Sequence, residues 1–353
     1  MKSILLLARP LAPVWRVVLR TLLLSVLALT AAPALAGSTL DGIRQRGEVR
    51  CGINEGLAGF AAADSQGIWH GLDVDVCKAI AAATLGDARR VRWVPLNKQQ
   101  LFPALQSGEV DILSHNVTWT LTRDAAMGLH FAGIVFYDGQ GFLVSKKSGI
   151  RKLADLAHTD ICVQSGTTTE KNLSDYFLSH GIPFRPVVFA NFEASRKAFL
   201  SGRCQAYTTD ATSLVGMISA ASRTPGDYVV LPELISKEPL SPAVRRGDDE
   251  WFAIVKWVVN ALVTAEEEGI TQANAAQLKT TGSPAVQRML GHTDDTGKLL
   301  GLDKEWLLRA VQAVGNYAEI YDRNLGEQSR LKLPRGLNRL WRDGGLLYAP
   351  PIR

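Results

Sequence analysis

The segment VDILSHNVTWTLTR, residues 110–123, carries an apolar run directly into a polar loop. Its first part, residues 110–116, predicts a buried strand that completes a regular alternation of elements. The preceding elements are a strand, a helix capped by Asp73 or Asp75, a second strand and a second helix, predicted at residues 49–53, 73–83, 90–96 and 97–107. This order is typical of a parallel sheet with helices on its faces.

The same alternation recurs downstream. Strands are predicted at residues 161–164, 186–190 and 204–209, and helices at 168–180, at 192–201 and from Asp210 onward. Two strand-like apolar segments, 141–145 and 229–234 continuing into 239–244, are predicted to connect the two units. We therefore expect an α/β fold with two lobes, in which two doubly wound α/β domains are joined by two crossing strands.

The crossings also predict a division of the chain. We expect the first part of lobe 1 at residues 37–143 and lobe 2 at residues 144–236. Residues 237–353 are expected to return to lobe 1 and to add a C-terminal helical extension. A chain of this length favours about two domains over one core.

Residues 1–36 have the features of a cleavable secretory signal peptide. Four basic residues and no acid are followed by an apolar run at 21–29 and by the small-residue run Ala34-Leu35-Ala36. The alternative is a membrane anchor, which needs about 20 apolar residues without interruption. Arg20 and Pro33 interrupt this stretch. We therefore expect export from the cytosol, and the absence of a cysteine at the cleavage point argues against a lipid anchor.

Removal of this segment changes the charge balance. The formal net charge of the full chain is +5, and loss of the four basic residues leaves +1. A nearly neutral protein lacks the basic surface of a nucleic-acid binder, so no nucleic-acid partner is expected.

The four cysteines of an exported chain favour disulfide bonds. Cys51 and Cys77 lie in one half of the chain, and Cys162 and Cys204 lie in the other. Three pairings are possible, and we favour Cys51–Cys77 with Cys162–Cys204, with free buried thiols as the alternative. No Cys-x-x-Cys or clustered histidine accompanies them, so neither a metal site nor another cofactor is expected.

Three polar clusters follow predicted strands, at the edge where open α/β sheets bind ligands. The first, residues 116–123, offers threonine hydroxyls and Arg123, whose guanidinium can hold a carboxylate with two parallel hydrogen bonds. Alternatively, Thr122 caps a helix and Arg123 pairs with Asp124 or another acid on the surface.

The second and third clusters are residues 164–170 and 207–210. Gly166 and the following threonines open a helix, whose N–H groups can bind an anion. Thr167 and Glu170 also fit a capping box, and the two interpretations are compatible. Asp210 can receive an ammonium group or cap the next helix.

Together the clusters offer donors for a carboxylate and an acid for an ammonium group, which is what a zwitterionic amino acid requires. The sequence contains no Gly-x-Ser-x-Gly elbow, no phosphate loop and no His-Glu-x-x-His motif, so no catalytic residues are assigned.

Several motifs then resemble one protein family along nearly the whole mature chain. They are VRCGIN (49–54), GLDVDVC (71–77), LQSGEVD (105–111), TWTLTR (118–123), CVQSGTTTE (162–170), AYTTD (206–210), ISKEPL (235–240) and YAPPIR (348–353). The chain resembles the periplasmic amino-acid-binding proteins of ABC importers (solute-binding protein family 3), and most of all their general L-amino-acid-binding branch.

The resemblance implies a role for each site residue. Arg123 would hold the ligand α-carboxylate, with contacts from Asn116 and Thr118 in the first lobe and Thr168 in the second. Asp210 would hold the α-ammonium group. Related receptors of narrow specificity often place an aromatic residue in the first loop, where this chain has Leu57, with Phe60 nearby. Lys98 is expected at another wall of the pocket.

The implied function is a periplasmic receptor, expected to be monomeric, that captures L-amino acids of broad range and delivers them to an ABC transporter permease. One alternative is an exported dehydratase of small carboxylic acids on the same fold, with Glu170 as the nearby candidate acid. The other is a sensory receptor for amino acids.

Overall fold

The computed structural model describes residues 39–221 and 225–353. The predicted signal peptide, residues 1–36, lies outside the described residues. The strands, in chain order, are β1 (Val49–Asn54), β2 (Ala62–Ala63), β3 (Trp69–His70), β4 (Val91–Leu96), β5 (Ile112–Leu113), β6 (Leu129–Phe131), β7 (Phe136–Asp138), β8 (Gln140–Ser145), β9 (Asp160–Gln164), β10 (Arg185–Phe189), β11 (Ala206–Asp210), β12 (Tyr228–Val230), β13 (Glu238–Leu240) and β14 (Ala243–Arg245).

The α-helices are α1 (Thr39–Arg46), α2 (Leu72–Leu85), α3 (Leu101–Ser107), α4 (Thr168–Ser179), α5 (Phe192–Leu200), α6 (Ala211–Ala221), α7 (Asp249–Glu267), α8 (Ala275–Thr281), α9 (Pro284–Met289), α10 (Trp306–Val314) and α11 (Tyr317–Asn324). Short 3₁₀ turns lie at Lys146–Ser148, Leu153–Leu156, Pro225–Asp227, Gly297–Leu300, Gly336–Asn338 and Trp341–Asp343, and a π-helical turn lies at Thr122–Ala126. No helix in the described ranges is both long enough and apolar enough to span a bilayer.

Two five-stranded sheets form the two lobes. The first has the order β4-β1-β5-β14-β6 and the second the order β10-β9-β11-β8-β12. In each sheet one strand pairs in parallel with two neighbours, β1 in the first and β9 in the second. Strands β14 and β8 pair antiparallel with both of their neighbours. The predicted α/β fold class is confirmed.

The segments predicted to connect the lobes take part in strand pairing. Strands β7 and β13 form an antiparallel pair of their own between the segments of the two sheets. The first predicted crossing, 141–145, belongs to the second sheet as most of β8, and the second, 229–234 continuing into 239–244, begins in β12 and runs through most of β13 to the start of β14. Strand β8 is apolar and almost wholly buried because it has a neighbour on each side, which made it resemble a buried connection. The predicted lobe boundary at 143/144 divides this strand.

Helix α2 begins at Gly71 and not through an aspartate cap. Gly71 has φ 137°, and a Cβ there would lie 1.9 Å from the Phe60 carbonyl oxygen, so only glycine fits. The expected cap Asp73 accepts hydrogen bonds from Ser114 Oγ and from Asn116 N, each at 3.0 Å. Both oxygens of the Asp73 carboxylate are therefore hydrogen-bonded to the loop that follows β5.

Both disulfide bonds predicted from the sequence are present. Cys51–Cys77 joins β1 to α2, and Cys162–Cys204 joins β9 to the residues before β11. All four cysteines are buried. Each bond therefore fixes a strand that ends at the cleft to an element packed against it in the same lobe.

The C-terminal extension packs on the first lobe and reaches the crossing. Its helices share the core of the first lobe, where Trp251 and Trp306 are nearly inaccessible to solvent. Asn338 forms two hydrogen bonds with the backbone of Tyr137 in β7, at 2.7 Å to its N–H and 3.1 Å to its carbonyl. The Tyr317 hydroxyl donates to the Val135 carbonyl at 2.7 Å. The extension therefore holds β7, which pairs with β13.

Candidate functional site

A cavity of about 50 Å³, partly open to solvent, lies in the cleft between the two lobes. Its walls come from the loops after β1, β4 and β5 in the first lobe and after β9 and β11 in the second. This is the edge of each sheet where open α/β folds bind ligands. The structure brings all five residues predicted from the sequence to these walls, namely Asn116, Thr118, Arg123, Thr168 and Asp210.

Arg123 projects from the π-helical turn that follows β5. Its Nη1 donates to the Thr118 carbonyl at 2.8 Å, and the guanidinium lies over the Phe102 ring at 5.5 Å. Burial lowers the pKa of Arg123, while the nearby carboxylates of Glu238 and Asp210 favour its charged form. The alternative pairing with Asp124 does not occur, because Asp124 pairs with Arg246 at 3.2 Å. Arg123 is thus a cation held at the wall of the cleft.

Asp210 ends β11 and is buried on the opposite side of the cleft. Its Oδ2 accepts a hydrogen bond from Asn116 Nδ2 at 3.3 Å, which links the two lobes. Burial, and next the charge of Glu238, raise the pKa of Asp210 to about 6, and the cations Lys98 and Arg123 oppose this rise. At neutral pH Asp210 is therefore a mostly ionised acceptor in a desolvated place.

Asn116 adopts a left-handed backbone, with φ 42°, at the turn after β5. This conformation is uncommon outside glycine and is concentrated at functional sites. Asn116 Oδ1 accepts a hydrogen bond from Lys98 Nζ at 3.1 Å, while its amide donates to Asp210. The strained turn therefore directs one side chain to a cation and an anion at once.

Glu238 is one of the residues whose role the sequence did not predict. It lies on β13, is 1 % exposed, and accepts hydrogen bonds from four side chains of both lobes and the crossing. These donors are Thr118 Oγ1 at 2.6 Å, Thr168 Oγ1 at 2.9 Å, Asn172 Nδ2 at 2.8 Å and Ser236 Oγ at 2.6 Å. Its partners are far away in sequence, so no local pattern could reveal this role.

The Glu238 contacts change what the threonines can offer. Because Thr118 and Thr168 donate their hydroxyl hydrogens to Glu238, their oxygens can only accept from a further group. Donors for a ligand carboxylate on this side of the cleft are then the Arg123 guanidinium and the free N–H groups at the start of α4.

The start of α4 is capped by Thr167. Its Oγ1 accepts the Glu170 N–H at 3.1 Å, as predicted. The Glu170 carboxylate accepts the Gly166 N–H at 2.8 Å, in place of the N–H of the cap residue. Glu170 does not line the cavity. Its role in the described structure is to order the loop that precedes α4.

Leu57, Lys98 and Phe192 line the rest of the cavity, together with His115. Phe60 does not reach it, because its ring packs edge-on against Phe136 in the core at 5.3 Å. Among the residues that the structure describes, no three acidic, histidine or cysteine side chains are grouped as a metal site would require.

The lobes also touch across the cleft away from the charged residues. Gln99 of the first lobe donates to the Ala190 carbonyl of the second at 2.9 Å. Gly216 of α6 faces the backbone of Ala58, and a Cβ there would lie 3.2 Å from the Ala58 carbonyl oxygen. The structure therefore shows the two lobes in contact on both sides of the cavity.

Comparisons with known proteins agree with this architecture. The bacterial extracellular solute-binding proteins, family 3, match residues 49–276. The general L-amino acid-binding periplasmic protein AapJ of Rhizobium johnstonii is 49% identical over 331 residues, which are 93% of this chain and 96% of AapJ. The glutamate/glutamine/aspartate/asparagine-binding protein BztA of Rhodobacter capsulatus is 48% identical over 330 residues, 93% of this chain and 97% of BztA.

A solved structure is similar over almost the same extent. It is an ABC transporter periplasmic binding protein from Brucella ovis with glutathione bound, with a TM-score of 0.88 and 48% identity. The match covers 90% of this chain and 100% of the Brucella ovis chain. Because the family match spans most of the chain and full-length relatives share nearly half of its residues, this chain belongs to the bacterial extracellular solute-binding proteins, family 3.

Proposed function

We propose that the protein is a periplasmic receptor that captures L-amino acids in the cleft and delivers them to the permease of an ABC transporter. One observation carries the proposal: the cavity places a half-buried arginine and a buried aspartate from opposite lobes close enough to affect each other's pKa. A cation and an anion on facing walls complement the carboxylate and ammonium groups of one zwitterion.

In this proposal Arg123 and the N–H groups at the start of α4 hold the ligand carboxylate. Asp210 accepts from the ammonium group, and the Thr118 and Thr168 oxygens, oriented by Glu238, can accept from it as well. Hydrogen bonds to charged groups contribute about 1.5–3 kcal/mol each. Micromolar affinity corresponds to about −8 kcal/mol, so four or five such contacts are enough even after the ordering of groups is counted.

We further propose that β7 and β13 are the hinge on which the lobes close. The second lobe would then begin near Gln140, and the chain would return to the first lobe at β13. Hinge closure around a ligand is the general behaviour of periplasmic binding proteins. Closure removes water from the charged contacts and joins the two lobe surfaces that a permease could recognise.

The sequence leaves two alternative functions, a dehydratase and a sensory receptor. The dehydratase alternative needs a general acid in the cleft, and its candidate Glu170 is engaged with Gly166 and lies outside the cavity walls. A sensory receptor would use the same cleft, so a test of its role must follow transport and not binding. Deletion of the gene followed by uptake of labelled amino acids distinguishes these roles.

The binding proposal is tested by a thermal-shift screen of the mature protein against the twenty amino acids. A ligand that binds only the folded state raises the melting temperature, and a concentration of 100 times Kd stabilises by about 2.7 kcal/mol. We expect several L-amino acids to stabilise the protein and their D-enantiomers to fail. The absence of any stabilising amino acid would refute the proposed function.

A further inference from the structure

The cleft contains two polar groups that the α-amino and α-carboxylate groups of a ligand do not need. They are Lys98, on the loop after β4, and His115, just after β5, and both line the cavity. The charge of Lys98 also contributes to lowering the pKa of His115, so the two groups are close in space.

His115 offers an acceptor. Its Nε2 lies 2.7 Å from the Leu96 carbonyl oxygen, and a carbonyl can only accept, so Nε2 carries the hydrogen. Burial lowers the pKa of His115 to about 3, so the ring is neutral and Nδ1 has a free lone pair. The residue is 1 % exposed, and within the described ranges Nδ1 has no hydrogen-bond partner.

Lys98 offers donors. Its ammonium group has three N–H bonds, and the described residues provide one hydrogen-bond acceptor, Asn116 Oδ1 at 3.1 Å. Burial lowers the pKa of Lys98 to about 8, while Asp210, Asp73 and Glu238 favour the charged form. At neutral pH Lys98 is therefore mostly a cation with donors left for a ligand.

We propose that Lys98 and His115 select the side chain of the ligand and together favour a primary carboxamide, as in glutamine or asparagine. The amide oxygen accepts from Lys98, and the amide N–H donates to His115 Nδ1. This inference rests on the proposed function, because it assumes that the α-groups are held by Arg123 and Asp210.

Competing side chains satisfy one group or neither. A carboxylate accepts from Lys98 but places a second acceptor against the lone pair of His115. A basic side chain meets Lys98 with like charge, and an apolar side chain leaves both groups unpaired. The apolar walls, Leu57 and Phe192, can pack on the aliphatic part of any of these ligands. The expected order of affinity is amide, then acid, then apolar, then basic.

The test is calorimetric titration of the mature protein at pH 7 with glutamine, glutamate and methionine. Methionine is uncharged and similar in length to glutamine but cannot form either hydrogen bond. We expect glutamine to bind more tightly than methionine by about 100-fold or more, because a site built for hydrogen bonds rejects an analogue that lacks them. We expect Lys98→Met to reduce this ratio by at least about tenfold and Lys98→Arg to preserve most of it.

His115 has its own readout, the ratio of glutamine to glutamate affinity. We expect His115→Phe to reduce this ratio by about tenfold, since the lone pair that opposes the acid is removed. His115→Gln, which retains a donor for the Leu96 carbonyl, is the second variant if His115→Phe is unstable. Lys147→Met, at an exposed lysine of the second lobe, is the control and should leave both ratios unchanged.

The outcomes separate the two proposals. If wild-type protein binds glutamine, glutamate and methionine with similar affinity, or if Lys98→Met leaves the glutamine preference unchanged, the inference is wrong although the protein is a receptor. If no amino acid binds at all, the proposed function is wrong, and this inference is wrong with it.

Discussion

Replacing Arg123 by alanine is the most direct challenge to the site. The variant removes the guanidinium that faces the cleft and leaves the threonines, Asp210 and the start of α4 in place. A charge-assisted pair of hydrogen bonds contributes about 3–6 kcal/mol in total, which corresponds to a loss of about 10²–10⁴ in affinity. A ligand with a micromolar Kd would then bind with a Kd of about 0.1–10 mM. Calorimetric titration with a ligand from the thermal-shift screen measures this loss directly.

The same substitution should have little effect on the unliganded fold. Arg123 gives up one hydrogen bond, to the Thr118 carbonyl, and its contact with the Phe102 ring. The substitution also removes the cost of desolvating a half-buried cation. The change in unfolding free energy should therefore stay within about 1 kcal/mol. Arg89→Ala, which removes an exposed ion pair with Asp87, is the matched control and should bind like wild type. An Arg123→Ala protein that retains affinity within about threefold would refute the assignment.

Three further predictions concern the groups around Arg123 and the crossing. The ligand ammonium group binds ionised Asp210, whose pKa is about 6, so the Kd of the ligand should rise about tenfold for each pH unit below 6. The Asp210→Asn variant should bind weakly at every pH and lack this dependence. Calorimetry from pH 7.5 to 4.5 checks both expectations. In the Glu238→Gln variant the loss of affinity should begin at a lower pH, because the charge of Glu238 contributes to raising the pKa of Asp210. An unchanged pH dependence of Kd would contradict this electrostatic argument. Asn338→Ala should lower the unfolding free energy by about 1–3 kcal/mol in urea titrations, because it leaves the Tyr137 N–H and carbonyl unpaired; a change below about 0.5 kcal/mol would show that the tail does not brace β7.

The sequence predicted the alternation of strands and helices well because each element has its own local pattern. Polar residues directly after apolar strands also predicted which side chains reach the cleft, since the carboxyl ends of neighbouring parallel strands share an edge. Arg123 and Asp210 belong to different lobes, yet each could be found from its own strand. The fold brings them to one cavity.

The place of segment 141–145 in the second sheet could not be found in this way. Strand β8 and a buried connection have the same apolar composition, and only the hydrogen bonds of β8 to β11 and β12 distinguish them. Asp73 shows the same limit at a single residue. Its position suggested a helix cap, but its partners Ser114 and Asn116 lie beyond two further strands and a helix.

Glu238 and His115 were missed for a related reason. A glutamate in a short strand and an isolated histidine carry no local signal, because their importance comes from burial and from partners distant in sequence. The tautomer of His115, which leaves Nδ1 as an acceptor, depends on the Leu96 carbonyl at the end of β4, and β1 separates β4 from β5 in the sheet. Such roles become visible only when the ends of these strands are seen together in the fold.

The order of strands in the first sheet has a consequence for how the protein is made. Strand β6 joins that sheet only through β14, where Phe131 is paired with Ala243. The second sheet, in contrast, is formed by one continuous stretch from Gln140 to Val230. A growing chain can therefore finish its second lobe while its first lobe is still missing a central strand. Such long-range pairing slows folding, so the first half of the chain must stay unfinished until the last third arrives.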